Sequence, residues 1–250
     1  MKLIGHRGAR NEAPENTLAG FAYLRSLGIN HVELDVHLDA EQQLVVIHDD
    51  TVDRTTDHEG NVRDFSTIQL ANMDAHQLWQ DWSMPKHATY DLSINRGVPT
   101  LKHVLADWPN LASIQLEVKP APDKDLKIIA RDLIELCQTL NLGDRGIITS
   151  SSLLFHQYLN ELECEQPTGL VADDTVADPI QTARSLNCTY LCLDWQLCND
   201  TLVQAANDAN LKLSLWTVND TEQLQTLENW KIDGLITDIP TQWLELEKPA

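Results

Sequence analysis

The chain has 250 residues and a formal net charge of −20, from 38 Asp and Glu against 18 Lys and Arg. That length suits one large core, and the charge excludes nucleic acid or an anionic membrane as a bulk partner, because either would be repelled. No run approaches the roughly 18 consecutive apolar residues of a membrane span, so no membrane insertion is expected.

The first predicted strand, 3–7, starts almost at Met1 and ends in Gly5-His6-Arg7-Gly8. No charged and apolar leader precedes it, which makes a cytoplasmic location the expectation. A helix is predicted near 16–27, then a strand over 31–36, His31-Val32-Glu33-Leu34-Asp35-Val36. Successive strand side chains point to opposite faces, so Glu33 and Asp35 share one face while Val32, Leu34 and Val36 take the other. Two like charges side by side on an inward face are costly unless a cation lies between them. A hard divalent ion such as Ca²⁺ or Mg²⁺ prefers carboxylate oxygens and fits that place.

The short run Leu44-Val45-Val46-Ile47 leads into His48-Asp49. The polar, aromatic-containing stretch after it is too long for an ordinary strand-to-helix loop. It predicts an insertion at about 50–97 over the catalytic face, shaping substrate access, within a single domain spanning 1–250. Trp79, Trp82 and Tyr90 give this stretch few core residues of its own. A helix at 100–107 and a strand at 113–119 follow, and in Ser113-Ile114-Gln115-Leu116-Glu117-Val118-Lys119 the residues Glu117 and Lys119 share a face. A third carboxylate and a cation thereby become available to one site.

Further strands are predicted at 145–150, 167–172, 189–194, 211–217 and 233–237, with helices near 124–141, 152–163, 178–187, 200–209, 220–229 and 240–247. Asn141-Leu142-Gly143 ends the long helix, Asp220 caps the one after strand seven, and Pro240 stands just inside the last. Eight strand-then-helix units predict an α/β fold, a (β/α)8 TIM barrel with an insertion after strand two. Active sites of such barrels lie at the C-terminal ends of the strands, where His6, Arg7, Glu33, Asp35, Glu117, Lys119 and Trp216 fall. The five cysteines are odd in number and lack C-x-x-C spacing. Reduced, buried thiols are favoured over a Cys188/Cys192/Cys198 metal cluster, since Leu191 and Leu193 make Cys192 a core strand residue.

Two histidines beside paired acids are the groups that metal-assisted phosphoester hydrolysis uses. A phosphodiester anion repels nucleophiles, so a metal together with Arg7 and Lys119 would neutralise charge on the non-bridging oxygens. One histidine can take a proton from the attacking oxygen and another can protonate the departing alkoxide. Read singly, His6 or His48 fits a structural hydrogen-bonding role better, and Arg7 with Lys119 fits a plain ion-pair network; together, with Asp49 able to orient a histidine, the catalytic reading prevails. Trp216 suits packing at the barrel mouth and contact with substrate equally well. His31, His37, His58, His76, His87, His103 and His156 are read as structural or surface residues.

The order of His6-Arg7-Gly8, Ala13-Pro14-Glu15-Asn16-Thr17, Glu33-Leu34-Asp35-Val36, His48-Asp49 and Arg54-Thr55-Thr56 resembles the glycerophosphodiester phosphodiesterase family, in its cytoplasmic bacterial type. Val98-Pro99-Thr100-Leu101, Leu116-Glu117-Val118-Lys119, Trp216-Thr217-Val218-Asn219 and the run from Asp233 to Pro240 extend the likeness over nearly the whole chain. The resemblance implies hydrolysis of glycerophosphodiesters such as glycerophosphocholine and glycerophosphoethanolamine to sn-glycerol 3-phosphate and an alcohol. It implies a divalent cation on Glu33, Asp35 and Glu117, His6 as proton acceptor, His48 as proton donor, and Lys119 on the phosphate. The attacking oxygen is either water or the substrate's own glycerol 2-hydroxyl. One departure is visible: Asp39-Ala40-Glu41-Gln42 stands where relatives commonly carry Thr-Lys-Asp-Gly. A non-catalytic ligand- or metal-binding protein on the same barrel is the alternative, and an enzyme acting on lipid finds no apolar or basic docking stretch to support it.

Overall fold

The computed structural model describes residues 1–83 and 96–246. Among these residues the strands are β1 (Lys2–His6), β2 (His31–Leu38), β3 (Leu44–Val46), β4 (Ser113–Val118), β5 (Gly146–Ser150), β6 (Thr168–Ala172), β7 (Tyr190–Asp194), β8 (Lys212–Trp216) and β9 (Gly234–Thr237). All but β3 pair in parallel, and β1 bonds to both β2 and β9, which closes the sheet into an eight-stranded barrel. The helices are α1 (Leu18–Ser26), α2 (Thr67–Ala71), α3 (Leu101–Asp107), α4 (Asp123–Thr139), α5 (Leu153–Glu161), α6 (Pro179–Ser185), α7 (Asp200–Asp208), α8 (Leu224–Asn229) and α9 (Pro240–Leu246). This is the predicted (β/α)8 TIM barrel, and β3 and α2 are the elements the sequence pattern did not announce.

The helices start where short polar side chains can take orphan amides. Thr17, Thr100, Ser152, Asp178 and Asn199 each cap the helix that follows by accepting from the amide three residues on. Val32, Leu34 and Val36 of β2 and Ile114, Leu116 and Val118 of β4 are fully buried, in one apolar cluster with Leu126, Ile129 and Leu133 of α4. Each such side chain contributes about 1.5–3 kcal/mol by leaving water, so the alternation read from β2 is enforced by the core behind it. A second cluster joins Leu191, Leu213, Leu215 and Leu235 to Ala183 and Val203 on the opposite arc. Among the described residues no helix is long and apolar enough to cross a membrane. All five cysteines are unpaired thiols.

β3 doubles back antiparallel on β2, with Val46 opposite Val36, and delivers His48 to the barrel mouth. Val45 of β3 and Ile47 just after it join Val52, Val62, Leu70, Met73, Ala75 and Val98 in a separate apolar cluster. The stretch therefore has more core of its own than its aromatic residues indicated. These aliphatics are scattered without a strand or helix period, and only the folded loop collects them. Trp79 and Trp82 are half-buried, and Trp82 donates from its indole to the Glu12 carbonyl at 2.8 Å. Tyr90 and His87 lie outside the described residues.

The turn between β2 and β3 carries the Asp39–Gln42 departure. Asp39 is buried and accepts from the amides of Glu41 and Gln43, both at 2.8 Å, while Gln42 sits at φ +59°. A side chain in that region costs about 1–2 kcal/mol, whereas glycine adds about 0.4–1 kcal/mol of unfolded-state freedom. Gln42→Gly is thus expected to stabilise the protein by about 0.5 kcal/mol. Urea unfolding midpoints of the two proteins check this, and a lower midpoint for the glycine variant would refute it.

Candidate active site

Strand register brings the polar residues together. His6 lies opposite Glu33 and Glu33 opposite Gln115, while Asp35 lies opposite Glu117 and Glu117 opposite Thr149. Cross-strand neighbours in a parallel sheet point to the same side, so two successive inward rows carry the charges. In the first of these rows Gln115 donates to Ser214 Oγ at 2.7 Å, and Ile147, Val171, Tyr190 and Cys192 form an apolar cluster inside the barrel. A cavity of about 300 Å³ opens above, lined by His6, Arg7, Arg10, Glu33, His48, Glu117, Lys119 and Trp216 among others.

One oxygen from each of Glu33, Asp35 and Glu117 lies within 4.8 Å of the others, the sole His, Cys, Asp or Glu group among the described residues gathered closely enough to share an ion. The cysteine trio considered from sequence is not such a group. Asp35 is fully buried, 2.8 Å from Lys119 Nζ, 3.2 Å from Arg7 Nε and accepting from Asn16 Nδ2 at 2.8 Å. Burial opposes its charge, but Lys119 and then Arg7 outweigh that and hold its carboxyl below the ordinary range. Glu33 behaves in the opposite way. Burial, followed by the charges of Asp35 and Glu117, pushes it well above the ordinary value.

Glu33 Oε1 is buried with no hydrogen-bond partner among the described residues. An orphaned carboxylate oxygen beside two further carboxylates is the donor set that a hard divalent cation takes, so the trio fits such an ion. Lys119 contacts Glu117 as well as Asp35, and these acids raise its pKa against the effect of burial. Arg7 occupies a left-handed turn at φ +51°, followed by Gly8 at φ +92°, which folds the chain sharply after β1. That turn lets the Arg7 amide donate to Glu33 Oε2 at 3.2 Å while its guanidinium reaches Asp35 and Glu15.

Each of the two histidines is held through Nδ1 by a carboxylate. His6 Nδ1 lies 2.6 Å from Asp238 Oδ1, and His48 Nδ1 lies 2.6 Å from Asp49 Oδ1. An ionised carboxylate only accepts, so Nδ1 carries the proton in both rings and Nε2 is left for other work. His6 Nε2 is 3.8 Å from Glu33 Oε2. Asp238 is steadied by Asn219, whose Nδ2 donates to Asp238 Oδ2 at 2.8 Å. Arg54 and His48 bring the Asp49 pKa down to about 2 against the opposing effect of burial. Burial, foremost, lowers the His48 pKa.

All eight residues singled out from sequence therefore meet around one cavity or its acidic floor: His6, Arg7, Glu33, Asp35, His48, Glu117, Lys119 and Trp216. Trp216 lines the cavity and packs on the barrel-interior cluster at the same time. Of the other histidines, His37 and His156 are buried and bonded to the backbone carbonyls of His48 and Ser150. Sequence reasoning assigned no task to Glu15, Asn16, Arg54, Asn219 or Asp238. Asp238 directly follows β9 and could have been found by applying the strand-end rule to the last strand; Glu15, Asn16 and Arg54 stood inside motifs whose spacing says nothing about their partners.

Comparison with known proteins identifies the family and the fold. The glycerophosphoryl diester phosphodiesterase family model matches residues 6–242. A glycerophosphodiester phosphodiesterase of Caldanaerobacter subterraneus subsp. tengcongensis is 31% identical over 252 residues, covering 98% of this chain and 96% of the relative. A Bacillus subtilis glycerophosphodiester phosphodiesterase is 26% identical over 254 residues, covering 98% and 86%. Among solved structures, an Oleispira antarctica phosphodiesterase in complex with the product sn-glycerol-3-phosphate superposes with a TM-score of 0.85 at 23% identity, covering 98% of this chain and 96% of that one. At that identity the superposition speaks for the fold.

Proposed function

The chain belongs to the glycerophosphoryl diester phosphodiesterase family and is a phosphoric diester hydrolase, and from that premise we propose that it converts small glycerophosphodiesters, such as glycerophosphocholine and glycerophosphoethanolamine, to sn-glycerol 3-phosphate and the free alcohol. The observation that carries this reading is the carboxylate trio flanked by two histidines, each with Nδ1 2.6 Å from an aspartate. The whole chain acts as one domain, with the stretch at about 50–97 shaping access to the cavity. Its place is the cytoplasm, a reading that the five free thiols support.

Glu33, Asp35 and Glu117 would hold a divalent cation, Ca²⁺ or Mg²⁺, which when bound supplies charge neutralisation at the phosphate oxygens. Arg7 and Lys119 bind and orient the phosphate from the rim of the same cluster. His6, with Nδ1 fixed on Asp238, presents Nε2 to the attacking oxygen and takes its proton. The glycerol 2-hydroxyl and a water molecule both suit that base, the first giving a cyclic phosphate that water then opens. His48 gives its proton to the departing alkoxide, with Asp49 stabilising the protonated ring. Trp216 packs against the glycerol or the leaving group at the cavity wall.

Glycerophosphocholine incubated with the protein and Mg²⁺ or Ca²⁺ is expected to release sn-glycerol 3-phosphate, and EDTA is expected to stop release. An enzyme-coupled glycerol 3-phosphate assay across several head groups checks this. Binding of every ester without product from any would establish the non-catalytic alternative instead.

A further inference from the structure

Glu15 is a buried carboxylate that does not line the cavity, yet it bridges both halves of the site. It accepts from Arg7 Nη1 at 3.0 Å and from Arg54 Nη1 and Nη2 at 2.7 and 2.9 Å. Arg54 turns its remaining edge to Asp49, donating from Nε to Oδ2 at 2.7 Å and from Nη2 to Oδ1 at 3.2 Å. Asp49 in turn holds His48 Nδ1 at 2.6 Å, and at the other end Arg7 reaches Asp35. Opposite charges thus alternate from Asp35 through Arg7, Glu15, Arg54 and Asp49 to His48. Charge-assisted, forked contacts of this kind fix geometry more strictly than single neutral hydrogen bonds.

The chain of contacts also crosses two separate segments. Glu15 belongs to the loop after β1, whereas Asp49 and Arg54 belong to the inserted stretch, and the His48 side chain is 31% exposed. Just ahead of that stretch, the partly exposed His48 ring makes its one side-chain hydrogen bond among the described residues with Asp49, which leaves Asp49 to aim it. We propose that Glu15 is a positioning residue for the leaving-group end of the reaction, acting through Arg54 and Asp49 to aim His48, a role that rests on reading His48 as the proton donor. As the ester P–O bond breaks, the alkoxide oxygen takes the proton from His48 Nε2 and the ring is left neutral. Glu15 gains and loses nothing in that step; it sets the direction of the N–H.

The proposal separates from a merely structural ion-pair network through the leaving group. Choline departs as an alkoxide and needs the proton, whereas nitrophenolate departs without one. Glu15→Gln and Arg54→Lys are each expected to lower kcat on glycerophosphocholine by about 30-fold, less than the roughly 10²–10⁴-fold of a general acid removed outright because His48 itself remains, and to change KM little. On the p-nitrophenyl ester of glycerol phosphate both variants should stay within about threefold of the wild type. The double variant should lose no more than either single one, because both break one chain of contacts. Equal losses on the two esters, or full activity on both, would overturn the assignment of Glu15. If Glu15→Gln does not fold, as circular dichroism would report, Arg54→Lys carries the same test. His48→Ala is run alongside: equal loss on both esters there would show that His48 is not the donor, a failure of the underlying reading distinct from a failure at Glu15.

Discussion

Alanine in place of either His6 or His48 is expected to lower kcat on glycerophosphocholine by about 10²–10⁴-fold while the barrel stays folded. Each ring sits on a separate carboxylate and faces one cavity, so on the proposed roles each removal should delete one proton transfer and leave Arg7 and Lys119 in place. KM should therefore change far less than kcat. The stability costs differ. His48 is partly exposed, so its loss is close to neutral, whereas losing His6 leaves buried Asp238 one partner short and costs about 1–3 kcal/mol. Asn219 still serves Asp238, which keeps the cost at the lower end. The double variant should be little worse than the singles, because groups that act in one reaction do not add. Steady-state kinetics with circular dichroism of the same samples reads all of this, and unchanged turnover in either single variant would remove the assignment.

Glu33→Gln and Asp35→Asn are expected to move stability differently in metal-free protein, although both remove a carboxylate from the same trio. Asp35 is fully buried between Lys119 and Arg7, so neutralising it takes one of two carboxylate partners from each, leaving Glu117 and Glu15, and should cost about 3 kcal/mol. Glu33 is pressed by burial and by Asp35 and Glu117, so its neutral isostere should cost under about 1 kcal/mol and stabilise at high pH. The signs with pH follow. Glu33 binds its proton more tightly folded than unfolded, so in the wild type its charge destabilises the fold as pH rises above 4.5, and Glu33→Gln removes that decline. Asp35 has a depressed pKa; its contribution is present above 3.8 and is lost as pH falls through its lower folded value. Urea unfolding in EDTA at several pH values measures both. Adding Mg²⁺ or Ca²⁺ at about 100 times its Kd should stabilise the wild type by about 2.7 kcal/mol, a gain both variants should lose. Stoichiometric retention of the cation by both variants would refute the ligand set.

Much of this site was legible because strand periodicity is local. Glu33 and Asp35 had to share a face once β2 was a strand, and Glu117 of β4 with Lys119, the residue just past its end, repeated the pattern. Turn chemistry was local too: Pro240 starts the last helix as read, whereas Asp220, read as a cap, stands before a short 3-10 turn and α8 begins only at Leu224. The inserted stretch was harder. Its small core gathers Val52, Leu70 and Val98 from far apart in the chain, and no period in the sequence announces such a cluster.

By itself the sequence determined the alternation of eight strands with helices and which side chains of β2 and β4 share a face, because both depend on hydrophobic spacing and turn chemistry within a few residues. Only the tertiary structure decided which inward residues meet. Barrel closure sets β1 beside β9, so that Asp238, 232 positions away, becomes the partner of His6. Register sets Asp35 beside Glu117, and the inserted stretch sets Arg54 on Glu15. A backbone ladder offers the same hydrogen bonds at many offsets; burial of the whole core selects one of them, and with it the neighbours of every charged group.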